Sequence, residues 1–206
     1  RLNTDSQKLE FYAQDQWWQM ATDVPTLNGG ARGVIAGGFP SSNVIQYVTI
    51  PTAGNSIDFG DLTHATGLSG GCASNTRGLI TGDYPSTGND IDYITIASTG
   101  NGTDFGNMTV SVYNGRAFSN QTRGLHCGGH TPGGKNVIGY VTIASTGDAV
   151  DFGDISYGSV WGPSTCASPT RGFIYGGYDG SSYYNTIQYV TISTTGNSQD
   201  WWISRY

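Results

Sequence analysis

The chain repeats one pattern four times, and this repeat limits the folds that it can adopt. An Arg-Gly pair recurs at spacings of 45, 46 and 48 residues, and each pair opens a short apolar run that ends in Gly-Gly or Gly-Asp. The four pairs are Arg32-Gly33, Arg77-Gly78, Arg123-Gly124 and Arg171-Gly172. A fixed period of this length, filled with short β-type runs, is typical of a propeller or a similar array of repeats.

Two further motifs keep the same order within every repeat. An apolar tetrapeptide of the type Tyr-Val-Thr-Ile starts at Tyr47, Tyr93, Tyr140 and Tyr189. An Asp-Phe-Gly motif then starts at Asp58, Asp104 and Asp151, and its fourth copy reads Asp200-Trp201-Trp202. Thr, Val, Ile, Tyr and Ser fill the positions between the glycines, which favours strands over helices.

One repeat, residues 62–108, predicts four antiparallel strands. The first, 62–74, is rich in small residues and suits an innermost position; the others are 77–81, 90–97 and 103–109, separated by turn-forming residues. Four antiparallel strands in about 47 residues correspond to one propeller blade. The predicted fold is therefore all-β: a β-propeller with at least four four-stranded blades.

The repeat also predicts the domain organisation. Residues 1–19 are an extra N-terminal hairpin or the end of a preceding blade, and 20–206 are propeller repeats with units at about 20–63, 64–109, 110–156 and 157–206. The chain opens with Arg1 rather than Met, so we expect a processed protein or one segment of a longer one. A closed four-bladed ring and a part of a larger array both remain open.

Composition excludes several classes of partner. The chain has 9 basic and 15 acidic residues, a formal net charge of −6 and only two lysines, Lys8 and Lys135. A basic face for a phosphate backbone cannot be assembled from these, which excludes nucleic-acid binding. No apolar run approaches the roughly 18 residues of a membrane span, so no membrane insertion is expected. Three cysteines are too few for a disulfide framework and predict buried free thiols.

The repeats resemble the kelch family of propellers. In that pattern a buried strand ends in Gly-Gly, an aromatic residue follows, and a tyrosine-bearing strand and an aromatic outer strand come next. The segment Gly176-Gly177-Tyr178-Asp179-Gly180 fits it best. The second unit departs from it, since Asp83 replaces the second glycine. More narrowly, the units TRG…GG(F/Y)…YVTIASTGN…DFGD are similar to tandem repeats in structural proteins of marine tailed bacteriophages. This resemblance implies a virion component at the particle surface, such as a tail fibre or another host-contacting appendage.

Repeated charges stand out in a chain with so few of them. Each unit has one arginine from the Arg-Gly pair and one aspartate from the Asp-Phe-Gly motif. A planar guanidinium can bond a carboxylate or several carbonyls at once, so we interpret these residues as structural pairs, either ion pairs or turn-fixing hydrogen bonds. A ligand site repeated around a ring is the alternative. The residues are Arg32, Arg77, Arg123, Arg171, Asp58, Asp104, Asp151 and Asp200.

The loops after the glycine doublets are the best candidates for ligand binding. They vary in length and sequence while the strands do not, and equivalent loops of a propeller emerge on one face. An aromatic ring can cover the apolar face of a sugar while Asn, Asp and Ser bond its hydroxyls, so the predicted ligand is a host-surface glycan. Alternatively, the first aromatic residue of each loop only caps its blade. The candidates are Phe39, Tyr84, His130, Tyr178, Asp179, Tyr183, Tyr184 and Asn185.

Paired tryptophans occur near both ends of the chain, at Trp17-Trp18 and Trp201-Trp202. Double tryptophans on an outer strand are costly to expose. We therefore predict an assembly contact there, with other virion subunits or with a second copy, rather than a ligand site.

No catalytic residue, metal site or cofactor is predicted. The three histidines, His64, His126 and His130, lack the spacing of a zinc motif, and no Gly-x-Ser-x-Gly nucleophile motif is present. The favoured function is a non-enzymatic recognition module of a virion.

Two alternatives to this function stay open. The acids Asp83, Asp90 and Asp92 leave a glycan-cleaving enzyme on a propeller as one of them. The other is a pure assembly scaffold with no ligand.

Overall fold

The computed structural model describes residues 2–3, 8–13, 15–19, 31–82, 84–85 and 88–202. Their strands form five antiparallel sheets of three or four strands each, and no helix occurs among them. The all-β prediction is confirmed. A helix able to cross a membrane is likewise not found in these ranges.

Within each sheet the strands follow one another in sequence order, so every sheet is a meander. Sheet 1 contains β1 (Leu2–Asn3), β2 (Lys8–Ala13) and β3 (Gln16–Gln19). Sheet 2 contains β4 (Arg32–Ala36), β5 (Ser42–Thr49) and β6 (Ile57–Thr66). Sheet 3 contains β7 (Gly70–Ala73), β8 (Arg77–Thr81), β9 (Asp90–Thr95) and β10 (Thr103–Asn107). Sheet 4 contains β11 (Arg116–Ser119), β12 (Arg123–Cys127), β13 (Val137–Thr142) and β14 (Val150–Asp154). Sheet 5 contains β15 (Ser164–Ala167), β16 (Arg171–Tyr175), β17 (Ile187–Thr191) and β18 (Gln199–Trp202).

The Asp-Phe-Gly motif forms a β-bulge. In sheet 3, Asp104 pairs with Asp92 and Gly106 pairs with Ile91, which leaves Phe105 as the extra residue. The bulge turns this phenylalanine into the core, where it packs edge to face on Tyr93. The same register shift and the same ring pair occur in sheets 2 and 4.

Sheets 2 to 5 stack on one another through three apolar clusters, one between each consecutive pair. The clusters draw on the strand positions that the alternation of side chains turns towards the neighbouring sheet. Their central members are Ile45, Phe59 and Ile94 between sheets 2 and 3, Leu79, Phe105 and Val141 between sheets 3 and 4, and Leu125, Phe152, Ile174 and Val190 between sheets 4 and 5.

The first strands of sheets 3, 4 and 5 lie side by side, with β11 in contact with both β7 and β15. The glycine of the Arg-Gly pair makes room for this approach. A Cβ atom at Gly172 would overlap the ring of Phe118 on the preceding sheet, and one at Gly124 would lie 2.9 Å from Sγ of Cys72. This explains the Arg-Gly glycine in sheets 4 and 5, whereas a Cβ atom at Gly33 or Gly78 would meet only side chains of its own sheet.

The burial of the cysteine thiols depends on the same stacking of sheets. Burial raises the pKa of Cys72 and of Cys127 to about 12, as expected for structural cysteines. Cys166 is exposed, so the prediction of a buried thiol is wrong there. It stands at the repeat position of Cys72 and Phe118, but no described sheet follows sheet 5 to cover it.

The outer strands of sheets 2, 3 and 4 are each bonded to a hairpin turn of the sheet that follows. The N–H groups of Gly100, Gly147 and Gly196 donate to the carbonyl oxygens of Phe59, Phe105 and Phe152, each at 2.7 Å. The residue after each turn glycine accepts a backbone N–H bond through its side-chain oxygen, at 2.9–3.1 Å. One set of contacts therefore joins all the consecutive pairs from sheet 2 to sheet 5.

The predicted repeat units differ from the observed sheets in the first unit. Sheets 3, 4 and 5 have four strands, whereas sheet 2 has three and its β6 continues past residue 63 to Thr66. Residues 20–30, the predicted opening of the first unit, lie outside the described residues. In the predicted N-terminal segment 1–19, β2 and β3 form a hairpin and β1 pairs with β2.

Candidate binding site on the loop face

A glycine with positive φ ends the second strand of every repeat and directs the loop that follows. The φ angles are 72°, 90°, 63° and 66° at Gly37, Gly82, Gly128 and Gly176. Residues with a side chain rarely adopt this region, which explains the glycine. Two positions further on, each loop presents a predicted aromatic residue: Phe39, Tyr84, His130 or Tyr178.

These four residues belong to a continuous row of rings, here called the aromatic row, that crosses sheets 2 to 5. Consecutive ring centroids lie 4.2–5.8 Å apart. Tyr113 and Trp161, which precede β11 and β15, fill the gaps between the loop residues. In spatial order the row is Phe39, Tyr84, Tyr113, His130, Trp161, Tyr178 and Tyr183.

Backbone hydrogen bonds hold the middle of the row in place. Tyr113 and His130 exchange N–H to carbonyl bonds of 3.1 and 2.7 Å, and Trp161 and Tyr178 exchange equivalent bonds of 3.0 and 3.1 Å. The two pairs occupy matching places in sheets 4 and 5. The rings are therefore positioned by the repeat itself, which is the preorganisation that a binding surface needs.

Exposure is greatest at the two ends of the row. The side chain of Phe39 is 73% exposed and that of Tyr183 is 84% exposed. The five rings between them are half-buried, so each shows part of its surface to solvent. A row of partly exposed rings offers an apolar track bordered by polar loop atoms.

Two polar atoms in the centre of the row are buried without a hydrogen-bond partner among the described residues. They are Nδ1 of His130 and Nε1 of Trp161, whose ring centroids are 4.2 Å apart. The indole N–H can only donate, whereas an imidazole nitrogen donates or accepts according to its tautomer. The centre of the row thus combines ring surface with unused hydrogen-bonding capacity.

The loop of sheet 5 is held by Asp179. Its carboxylate accepts bonds from the N–H groups of Ser181 and Ser182, both at 2.7 Å, and from the Ser181 hydroxyl at 2.9 Å. These bonds, that of Ser182 foremost, lower the pKa of Asp179 to about 2. Asp179 therefore shapes the loop that carries Tyr183.

Two further predicted loop residues differ in their surroundings. Tyr184 packs against the cluster between sheets 4 and 5 and lies 4.8 Å from the Tyr157 ring, so it supports the loop from below. Asn185 is exposed.

The arginines make a different contact from the predicted ion pair. Each guanidinium lies 4.6–4.8 Å from the centre of the tyrosine ring of its own sheet. In sheets 2, 3 and 4 its Nη1 also donates to an isoleucine carbonyl of the next sheet, at 2.7–3.0 Å. A carbonyl takes the place of the carboxylate because it lies at the sheet junction. The donors and acceptors are Arg32 and Ile96, Arg77 and Ile143, and Arg123 and Ile192.

The repeated aspartates are exposed. Those with a hydrogen bond among the described residues make it to a residue of their own sheet. Asp104 accepts from the N–H of Gly106 at 3.1 Å, and Asp200 accepts from Nε2 of Gln188 at 2.6 Å. Asp58 and Asp151 lie on the exposed outer strands. The structure does not bring these acids to the aromatic row.

At the two ends of the chain, Trp17, Trp18 and Trp201 have large exposed surfaces. Trp17 is in edge contact with Tyr12, and Trp18 donates to the carbonyl of Ala13. Trp201 packs edge to face on Phe173, and the Arg171 guanidinium lies 5.4 Å from its ring centre. Trp202 ends β18, and its side chain lies outside the described part.

The predicted acid group is only partly described. Both carboxylate oxygens of Asp92 accept hydrogen bonds from the Thr63 hydroxyl, at 2.8 and 2.9 Å, and one also accepts the Thr63 N–H. Asp90 is half-buried at the start of β9, and Asp83 lies outside the described residues. Among the described residues, no three His, Cys, Asp or Glu side chains form a group that could hold a metal ion.

Sequence reasoning missed two members of the aromatic row, Tyr113 and Trp161. A signal was present, because both stand ten residues before an Arg-Gly pair and 48 residues apart. Comparison with models of known protein families and with curated protein sequences found no match to the chain.

Proposed function

We propose that this chain is a non-enzymatic recognition module that binds a host-surface glycan along its aromatic row. Its setting in this proposal is the outer surface of a tailed-bacteriophage particle, as part of a tail or fibre. The resemblance of the repeats to phage structural proteins supports the setting, and the aromatic row supports the ligand.

The continuity of the row is the observation that carries the proposal. Seven rings from four consecutive sheets are in contact, and the outermost two are largely exposed. The apolar face of a sugar packs on such rings, and hydroxyl groups bond polar atoms beside them. An extended glycan, rather than a single sugar, matches a surface that spans several repeats.

The same proposal treats sheets 2 to 5 as kelch-like propeller blades. The side-by-side first strands β7, β11 and β15 support an inner axis, and the identical contacts between consecutive sheets support a regular rotation from one to the next. Sheets joined in this way keep their loops at the same end, which a shared binding surface requires.

A glycan-cleaving enzyme is the less favoured alternative. Its acid–base pair would have to come from Asp83, Asp90 and Asp92, yet the Thr63 side chain and backbone already hold both oxygens of Asp92. A glycosidase needs two carboxyl groups that face the scissile bond. Because its hydrogen bonds tie Asp92 to β6 of the neighbouring sheet, binding is favoured over cleavage.

A glycan array with purified protein tests the proposal, with Tyr183→Ala and Phe39→Ala as the informative variants. Both side chains are largely exposed, so their loss should leave thermal stability unchanged. An aromatic contact contributes about 1 kcal/mol beyond its buried area, so each variant should weaken binding by about fivefold or more.

The matched control is Tyr12→Ala, which removes an exposed tyrosine of sheet 1 that does not belong to the aromatic row. It should bind like the parent. Equal binding by Tyr183→Ala, Phe39→Ala and the parent would show that the row is not the site. Release of reducing sugar from the bound glycan would favour the enzyme instead.

A further inference from the structure

The contacts between consecutive sheets have a direction. The arginine of one sheet donates to the isoleucine carbonyl of the sheet that follows, and the strand positions beside the arginine face the same way. Each sheet therefore has a trailing face, which carries the arginine, and a leading face, which carries the isoleucine. Three trailing faces are covered by three leading faces, between sheets 2 and 3, 3 and 4, and 4 and 5.

No described residue covers the leading face of sheet 2. Ile50 is 67% exposed, whereas the isoleucines at its repeat position, Ile96, Ile143 and Ile192, are 5%, 1% and 0% exposed. Gln46 is also exposed, although its counterpart Gln188 is buried. This face has apolar residues at the same positions as the other leading faces. The Ile50 carbonyl stands where those faces offer an isoleucine carbonyl to an arginine.

The trailing face of sheet 5 is likewise not covered by any residue that the structure describes. Trp201 is 50% exposed, whereas the phenylalanines at its repeat position are 2% exposed. Tyr175 is 40% exposed, and its counterparts Thr81 and Cys127 are buried. Arg171 is exposed and stacks on Tyr189 as the other arginines stack on their tyrosines, yet among the described residues it has no carbonyl partner.

We infer that the trailing face of sheet 5 in one copy of this chain binds the leading face of sheet 2 in a second copy. In this contact Arg171 donates to the carbonyl of Ile50, as Arg123 donates to that of Ile192 within the chain. Tyr175 then lies opposite the exposed Ile35, as Thr81 lies opposite His126 within the chain, and Trp201 lies opposite Val48, as Phe59 packs with Ile94. The two faces belong to different ends of one chain, so the contact is head to tail.

One substitution limits how closely the copies approach. Trp202 stands where the earlier units have Gly60, Gly106 and Gly153, and a Cβ atom at any of these glycines would overlap the turn of the next sheet. The outer-strand contact is therefore not reproduced between copies. The interface rests on the middle strands, β4 and β5 of one copy and β16 and β17 of the other.

Sedimentation velocity of the purified chain tests this inference across about 1 μM to 1 mM, the range of weak specific contacts. We expect the parent to associate as its concentration rises. Ile50→Lys blocks one face and Tyr175→Lys blocks the other, and each alone should stay monomeric. Because each retains one intact face, their equimolar mixture should form a one-to-one dimer and nothing larger, as a head-to-tail contact requires.

The controls separate this contact from other causes. Val150→Lys changes a residue on the outer strand of sheet 4 whose exposure, 56%, lies between those of Tyr175 and Ile50, and it should associate like the parent. Gln46→Lys is a second variant of the leading face, in case Ile50→Lys does not fold. A parent that stays monomeric throughout would overturn the inference, as would dimers of either blocked variant alone. Glycan binding by the aromatic row does not depend on either outcome.

Discussion

Each arginine of the Arg-Gly pair joins a tyrosine of its own sheet to a carbonyl of the next. Stacking on the ring holds the guanidinium in place, so less side-chain entropy is lost when Nη1 bonds the carbonyl. Arg123 makes both contacts, whereas Arg171 makes the stacking contact without a carbonyl partner among the described residues. The chain thus contains a natural comparison of the two contacts.

Arg123→Ala should lower the free energy of unfolding by about 1–3 kcal/mol, because it removes a half-buried charged hydrogen bond and leaves the Ile192 carbonyl unpaired. Arg171→Ala is the matched control and should lower the free energy of unfolding by a smaller amount. Urea unfolding of both variants measures the difference. Equal losses in the two variants would contradict a role for the inter-sheet bond.

His126 makes the stability of the chain depend on pH. Its ring is buried between sheets 3 and 4, with Nδ1 at 2.7 Å from the Thr81 hydroxyl. Burial lowers the pKa of His126 to about 4, and the nearby Arg116 charge lowers it by a smaller amount. Between that value and 6.5 the unfolded chain binds a proton that the folded chain does not. Acid therefore favours unfolding in this window.

We expect the free energy of unfolding to fall from pH 6.5 to pH 4, by up to about 1.4 kcal/mol per pH unit from this residue. His126→Ile, which introduces the residue found at the same position in sheets 3 and 5, should flatten the dependence. Denaturant unfolding at a series of pH values gives the slope. An unchanged slope in His126→Ile would assign the dependence to other groups.

At the scale of the sheets, the glycine of the Arg-Gly pair in sheets 4 and 5 sets how closely the preceding sheet approaches. Gly172 lies against the Phe118 ring of sheet 4. Gly33 is at the same repeat position, but its hypothetical Cβ would meet only side chains of its own sheet, the nearest atom being Val48 Cγ2 at 3.3 Å. The two glycines differ only in whether a preceding sheet covers them.

Gly172→Ala should destabilise the fold by about 1–3 kcal/mol, because the added methyl group displaces the Phe118 ring. Gly33→Ala should cost about 1 kcal/mol or less. Combining Gly172→Ala with Phe118→Cys, which uses the residue of the equivalent positions 72 and 166, should cost less than the sum of the single changes. A fully additive double variant would contradict contact between the two positions.

The repeats predict three of the four strands in residues 62–108 to within two residues. Strands are expected at 77–81, 90–97 and 103–109, and they lie at Arg77–Thr81, Asp90–Thr95 and Thr103–Asn107. The first predicted strand, 62–74, is wrong at its start: residues 62–66 belong to β6 of sheet 2, and the strand itself is Gly70–Ala73. The partners of the arginines were not predictable in the same way. A backbone carbonyl has no sequence signature, and a fixed spacing between Arg and Asp is equally compatible with contacts inside one sheet and between two.

At the scale of the whole molecule, stacking creates a surface that no single repeat contains. The loop residues Phe39, Tyr84, His130 and Tyr178 were predicted as candidates, but their rings form one row only because Tyr113 and Trp161 lie between them. That arrangement depends on the offset between neighbouring sheets, which the period along the chain does not encode. The row is continuous from sheet 2 to sheet 5.

Calorimetric titration with fragments of increasing length, prepared from the glycan that the array identifies, tests this account most directly. If the aromatic row is one extended site, affinity should rise with each added sugar until the fragment spans the distance from Phe39 to Tyr183, and Tyr183→Ala should lower the plateau. A single sugar that binds as tightly as the longest fragment, with no effect of Tyr183→Ala, would contradict an extended site along the row.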